Sequence, residues 1–451
     1  MPVRAQTVAA VATALAVLAA GCSHGRKAPP VVPTSVPGTT TTTAGPPPGN
    51  TASAPGVTPA QITIGTHQPL TGTQAPGLSE IAPAANAYFQ FVNEHGGVHG
   101  RSIVLKAMDD EGDPAATPGA VRQLLQAGVF AIVDGRGVAT HRAVVAALTA
   151  QRIPDLFVGS SCTCWNAPTT DPLRFGFAPD FQIEGAVQGD YIARVLAGRK
   201  VGYLVPADGS GVDAATGLDR HVPKSSVVSR QAFDPTTTSV KAQVLALQAA
   251  GAQVVALYSP PVVTAEAMLA AVDAGYRPTW VVSNSGSDVT TVTGLLQTLS
   301  KGAAGGSLLE GAVTDAYLAP IGDATNPWTQ LWRRVHDAYA PKLPLDGNVA
   351  YGMAMAYTFV QAALAAGQNP TRAGIVSAIA HVPFAGPGLV PFGYGAASHA
   401  GYTGVAMGSI VLGQFKALEP PRTVGPSGAL QVVPSQPAVP PASGIPTAAT
   451  S

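Results

Sequence analysis

The chain has 451 residues, 46% of them hydrophobic and only 11% charged, with 25 basic side chains balanced by 25 acidic ones. That length allows about three domains and a large core. A charge balance of zero offers no basic face for displacing counterions and argues against a nucleic-acid partner.

Arg4 and the apolar, small-residue run 8–21 read as a secretory signal: basic start, apolar middle, small residues before the cut. Cys22 follows Leu18, Ala19, Ala20 and Gly21 directly and resembles the lipobox cysteine of bacterial lipoproteins, with Ala19 where that motif usually carries leucine. On this resemblance residues 1–21 are removed, and Cys22 carries lipid that anchors an extracytoplasmic protein to the cell membrane. The other reading is a secreted protein with an incidental cysteine. Outside the cytoplasm no nucleotide pool exists, and no cofactor is expected. Residues 22–59 hold Pro29, Pro30, a threonine run at 39–43 and three prolines at 46–48, a composition that cannot bury a core and reads as a disordered tether. Residues 420–451, rich in Pro and Ala, read as a disordered tail for the same reason.

Between these segments strand and helix patterns alternate. Residues 61–65 read as a strand, and 83–94 as a helix stopped by Gly96 and Gly97. A strand at 102–108 follows the His99–Gly100 turn, then a helix at 118–127 and a short buried strand at 130–133. The rhythm continues with a helix at 141–151, a strand at 155–158, a helix at 183–196 and a strand at 201–205. Helices at 240–250 and 264–274 then alternate with strands at 254–258 and 279–282. The apolar stretch 349–367 is interrupted by Tyr351, Tyr357, Thr358 and Gln361 and reads as a buried helix, not a membrane span. Such alternation implies α/β architecture with parallel sheets covered on both faces, and about 360 residues is large for one sheet, so two lobes are expected.

The segments ITIGTHQPLTG at 62–72, FVNEHGGVHGR at 91–101 and DDEGDP at 109–114 follow one another in a recognisable series. It continues through 156–159, Trp165 and Asn166, 175–177, Glu184, 200–204 and 275–278. The series resembles the leucine/isoleucine/valine-binding proteins, the type I solute-binding proteins of ABC importers. The resemblance implies a type I periplasmic-binding-protein fold of two αβα lobes joined by a hinge of crossing strands. The first lobe would be 60–178 plus 312–387 and the second 179–311 plus 388–419. Ligands in open α/β sheets bind beyond the carboxyl ends of the strands, so two rims would face each other across a cleft and close on the ligand.

The first rim would include residues 134–140, where the family presents a hydroxyl and backbone N–H groups to a carboxylate. Thr140 is the nearest hydroxyl. Arg136 reads as a forked anchor for a ligand acid, as a solvated loop arginine or as an internal partner of Asp134. Ser160 and Ser161 present small hydroxyls; Trp165 either walls the cleft or packs in the core. The second rim takes Asp208, Tyr258, Asn284 and Ser285. Amino-acid binders of the family place an acid near this last point to hold the ligand's ammonium. Asn284 and Ser285 suit a neutral amide, or an acid lacking an amine, better. Asp288 reads either as an acid reaching into the site or, more simply, as the cap of a helix running to Leu299.

Cys162 and Cys164 are either a disulfide or two free thiols. Residues 135–140 imitate a dinucleotide fingerprint, but Thr140 replaces its third glycine. His95 and His99 flank a Gly-Gly turn, and the acidic cluster 109–113 lacks the alternation of a calcium loop, so no metal is expected. Neither a Gly-x-Ser-x-Gly elbow nor a His-Glu-x-x-His motif occurs, and no enzyme activity is expected. The expectation is a monomer that captures a branched-chain amino acid, amide or small organic acid for an ABC permease and its ATPases. The alternative is a sensor built on the same module.

Overall fold

The structure, a computed structural model, describes residues 47–447 apart from 238, 385, 426, 427 and 434–438. The signal, Cys22 and most of the expected tether lie outside the described residues.

Five strands make the first sheet: β1 Gln61–Gln68, β2 Ser102–Asp109, β3 Ile132–Val133, β4 Asp155–Val158 and β5 Arg174–Gly176. All pair in parallel in the order β2-β1-β3-β4-β5. The second sheet repeats that order. Its strands β6 Val201–Pro206, β7 Val227–Phe233, β8 Val254–Leu257, β9 Thr279–Val282 and β10 Val313–Ala316 run β7-β6-β8-β9-β10, again in parallel. Near-continuous apolar runs such as 254–257, buried at every residue, are what a sheet covered on both faces requires. A hairpin of β11 Phe392–Gly395 and β12 Ser398–Tyr402 precedes β13 Gly404–Val411, which pairs antiparallel with β10. Strands β14 Gln414–Ala417 and β15 Arg422–Val424 pair with β13, and β16 Leu430–Val432 with β15.

Helices cover both sheets. Helix Ile81–Glu94 buries Ala84, Ala85, Tyr88, Phe89 and Val92, spaced three and four residues apart, in the first-lobe core. Helix Gly347–Ala365 packs against it and is buried nearly all round, as its apolar sequence requires. Among the described residues no helix is long and apolar enough to cross a membrane.

The chain passes between the sheets three times, at Phe177, at Tyr317 and after Tyr402. Ring centroids of Tyr402 lie 5.3 Å from Phe177 and 5.0 Å from Tyr317. The Tyr402 N–H donates to the Phe177 carbonyl at 3.0 Å and the Leu389 N–H to the Tyr317 carbonyl at 2.7 Å. Gly401 makes this approach possible: its φ is +84°, and a Cβ there would stand 2.6 Å from the Phe177 oxygen.

Several boundaries differ from those expected. Strand β10 lies in the second sheet, so the chain returns to the first lobe after Ala316 and not at 312. Residues expected in the second lobe from 388 onward, including Val390 and Tyr402, pack in the first-lobe core. The tail expected to be disordered contributes β15 and β16, and the Gly444 carbonyl accepts from the Tyr88 hydroxyl at 2.8 Å. Backbone pairing on a sheet edge fixes a segment whose side chains alone do not. Likewise, Arg101 fixes residues before 60, donating to the carbonyls of Thr51 at 3.0 Å and Thr58 at 2.7 Å.

Candidate functional site

A cavity of about 580 Å³ opens where the carboxyl ends of the two sheets face each other, lined by residues of both lobes and of the crossings. That size lies within the range of small-molecule sites.

On the first lobe the chain leaves β3 through Asp134 and enters helix Val138–Ala150 at Gly137, whose φ of +81° only glycine adopts cheaply. No side chain caps this helix, its first N–H groups lack intrahelical partners, and the residues of its first turn, Val138, Ala139 and Thr140, line the cavity. Asp134 is buried and accepts from the Tyr351 hydroxyl and from Gln68 Nε2, both at 2.8 Å. Burial pushes its carboxyl above the usual range, although Arg136 opposes the shift. Arg136 lines the cavity but is engaged internally. Its Nη1 donates to the Gly159 carbonyl at 3.1 Å, its Nε lies 3.7 Å from Asp134 Oδ2, and its guanidinium sits 4.5 Å over the Tyr351 ring.

The Thr140 hydroxyl donates to the Arg136 carbonyl, so it faces the cavity with its proton already committed. Ser160 Oγ accepts from the Trp165 indole N–H at 2.6 Å, leaving its own proton for a partner in the cavity; Ser161 lines the same edge. Trp165 is 3% exposed and packs with Val138, Val158 and Cys162, the core position and not a wall. The structure joins Cys162 and Cys164 through their sulfurs, with Cα atoms 5.1 Å apart.

Beneath this rim His67 and His141 connect two buried aspartates. His67 Nδ1 lies 2.7 Å from Asp110, the two rings meet at 2.8 Å, and His141 Nε2 lies 2.7 Å from Asp155. This line pins helix Val138–Ala150 to the sheet. Burial is the largest influence on His67 and lowers its pKa, against the hydrogen bond to Asp110.

On the second lobe Asp208, Asn284 and Ser285 line the cavity as expected of rim residues, but Tyr258 does not. Tyr258 is fully buried and donates to Gln188 Oε1 at 2.8 Å: as the residue next after a buried strand it turns inward. Asp208 caps helix Gly209–Leu218, its Oδ1 accepting from the Ser210 N–H at 2.9 Å and the Ser210 hydroxyl at 2.6 Å. The Ser285 hydroxyl contacts Ser283 Oγ at 3.0 Å. Asn284 commits its amide donor within the protein, Nδ2 donating to the Asp315 carbonyl at 2.8 Å.

Two acids that line the cavity were not assigned to the site from the sequence: Glu184, named only as part of the family-like series, and Asp315; they are 2% and 1% exposed. Gln188 Nε2 donates to Asp315 Oδ2 at 2.7 Å and reaches Glu184 Oε1 at 3.3 Å, while the Asn284 N–H donates to Glu184 Oε1 at 2.9 Å. Burial and the charge of Asp315 hold the Glu184 carboxyl well above the usual range, and burial pushes Asp315 up to about 7. Both left a signal in the sequence. Glu184 and Gln188 interrupt an otherwise apolar buried face of helix Phe181–Val195, and Asp315 interrupts the buried strand β10. Among the described residues no group of three His, Cys, Asp or Glu side chains is placed to hold a metal.

The sequence pattern of the periplasmic binding protein family matches residues 61–415. The chain belongs to that family. The resemblance to leucine/isoleucine/valine-binding proteins read from the sequence holds, and the fold is the type I periplasmic-binding-protein fold. This periplasmic binding protein is 26% identical over 206 residues to Leu/Ile/Val-binding protein homolog 3 of Brucella melitensis, across 44% of this chain and 54% of the relative. The match thus spans about half the relative's length. Among solved structures, a substrate-binding periplasmic protein from Ralstonia solanacearum superposes with a TM-score of 0.69 at 23% identity, covering 79% of this chain and 99% of that one. A fatty acid ABC transporter substrate-binding protein from Thermomonospora curvata gives 0.69 at 23% identity, over 81% and 93% of the two chains. A branched chain amino acid ABC transporter from Thermus thermophilus with bound valine gives 0.69 at 16% identity, over 81% and 97%. At these identities the likeness carries the fold.

Proposed function

We propose that this chain is an extracytoplasmic solute-binding lipoprotein. Lipid on Cys22 holds it at the membrane, a small organic solute is captured between its lobes, and the loaded protein presents that solute to an ABC permease and its ATPases. The protein makes and breaks no bonds. One observation carries the reading: a single cavity receives the helix N-terminus and serine hydroxyls of one lobe and the Asn284–Asp315 edge of the other. A ligand touching both rims stabilises the closed arrangement by its differential contacts. The names of the relatives, which speak of branched-chain amino acids and of a fatty acid, support a small organic ligand.

The test is a thermal-shift screen across amino acids, amines, amides, organic acids and sugars. A solute at about 100 times its Kd adds roughly 2.7 kcal/mol of stability. A saturable shift with at least one class supports solute capture. No shift with any class contradicts it.

A further inference from the structure

The charges of the cleft do not balance, and the imbalance sits on the second lobe. Glu184, Asp208, Asp288, Asp315 and Asp346 line the cavity against only Arg136 and Arg333. Three of the five acids are committed as helix caps: Asp208 as described, Asp288 to the Thr291 N–H at 2.8 Å and Asp346 to the Val349 N–H at 2.9 Å. Arg136 gives one N–H to Gly159 and lies against Asp134 and the Tyr351 ring, although its buried Nε has no hydrogen-bond partner among the described residues. Glu184 and Asp315 remain.

These two carboxylates are gathered by one amide, Gln188 Nε2, and positioned by Asn284, whose backbone N–H serves Glu184 and whose side chain holds the Asp315 carbonyl. No side-chain cation of the described residues stands beside either acid. Asp315 Oδ1 is buried and has no hydrogen-bond partner among the described residues. Two dehydrated carboxylates repel unless a proton or a cation lies between them. Phe181 and Tyr317, aromatic residues of the kind that attract cations, line the same cavity.

Resting on the reading of the cleft as the solute site, we infer that the feature recognised in the ligand is a positively charged nitrogen, a protonated amine or quaternary ammonium, seated at Glu184 and Asp315, and that no acid group is required. The acid expected near residue 284 is thereby supplied from elsewhere, by the first turn of helix Phe181–Val195 and by the strand entering the hinge.

The experiment compares four probes on the full chain by thermal shift and calorimetry: leucine, 3-methylbutylamine (leucine without its carboxylate), 4-methylpentanoate (leucine without its amine) and choline. Binding of 3-methylbutylamine or choline, weakened at least tenfold by Asp315→Asn and by Glu184→Gln, is the expected result. Both variants should melt no lower than the parent without ligand, since each relieves a buried repulsion, so lost binding cannot be lost folding. Binding of 4-methylpentanoate undiminished by Asp315→Asn, or of leucine but not 3-methylbutylamine, overturns the inference and leaves solute capture standing. If the amines fail while another class in the broad screen binds, the inference also falls alone. If nothing in the broad screen binds, solute capture falls first and the inference with it.

Discussion

Thr163 of the first lobe gives both its backbone N–H and its hydroxyl to the carboxylate of Asp213 in the second, at 2.9 and 3.0 Å. Thr163 stands between the joined cysteines 162 and 164, and Gln182 Nε2 adds a third donor to Asp213 at 2.9 Å. Asp288 makes a second tie between the lobes, accepting from the Gly347 N–H at 2.9 Å. Contacts made only when the lobes approach favour the closed arrangement. Asp213→Ala should therefore shift the population toward open forms. The expected sign is a larger radius of gyration in X-ray scattering without ligand, and ligand affinity lowered about three- to tenfold for a loss of about 1 kcal/mol. An unchanged radius and affinity would deny the tie any role in closure.

The acid pair gives a pH dependence of defined sign. Asp315 is raised from an ordinary carboxylate value to about 7. Below pH 4 the folded and unfolded chains both hold this proton. Between about pH 4 and 7 the unfolded chain releases it and the folded chain does not, so stability falls as pH rises. Asp315→Asn removes that slope. Melting curves at pH 5 and pH 8 should show the parent losing more stability than the variant, by on the order of 2 kcal/mol. Affinity for an amine should run the other way and strengthen over the same interval, because the proton and the cation compete for one place.

Tyr258 separates a structural role from a binding one. Its hydroxyl donates to Gln188, and it stands outside the cavity lining. Tyr258→Phe leaves Gln188 Oε1 short of a donor and should cost about 1–2 kcal/mol of stability. Ligand affinity should change less than in Asp315→Asn. An equal loss of affinity in the two variants would return Tyr258 to the binding surface.

Arg136→Ala leaves buried Asp134 with Tyr351 and Gln68 but no cation. A loss of about 1–3 kcal/mol is expected by chemical denaturation. Affinity for 3-methylbutylamine should not fall, since the variant removes a positive charge from the cleft. A tenfold loss would make Arg136 a direct ligand contact.

Elements whose pattern is strong were legible in the sequence. The strands at 155–158 and 279–282 have the bounds their apolar runs gave, and most helices agree within a turn. Strand β7 was missed because Ser229, Arg230 and Gln231 leave it without a continuous apolar run, as suits an edge position. Helix Gly209–Leu218 was missed because its glycines lower helix propensity; the Asp208 cap and burial of Ala214 and Leu218 hold it. The rim was legible wherever the rule of strand ends applies, at Arg136, Thr140, Ser160, Ser161, Asp208, Asn284 and Ser285. That rule misplaced Tyr258, which turns inward, and never visits a helix face or a hinge strand, where Glu184 and Asp315 lie. Finding them required asking why a carboxylate interrupts each buried stretch.

The most direct measurement is a crystal structure of the full chain grown with whichever solute stabilises it most. The account predicts that solute in the cavity, touching the first lobe near Ser160 and the second at Glu184 and Asp315. A solute held by one lobe alone, or lodged outside this cavity, would contradict it.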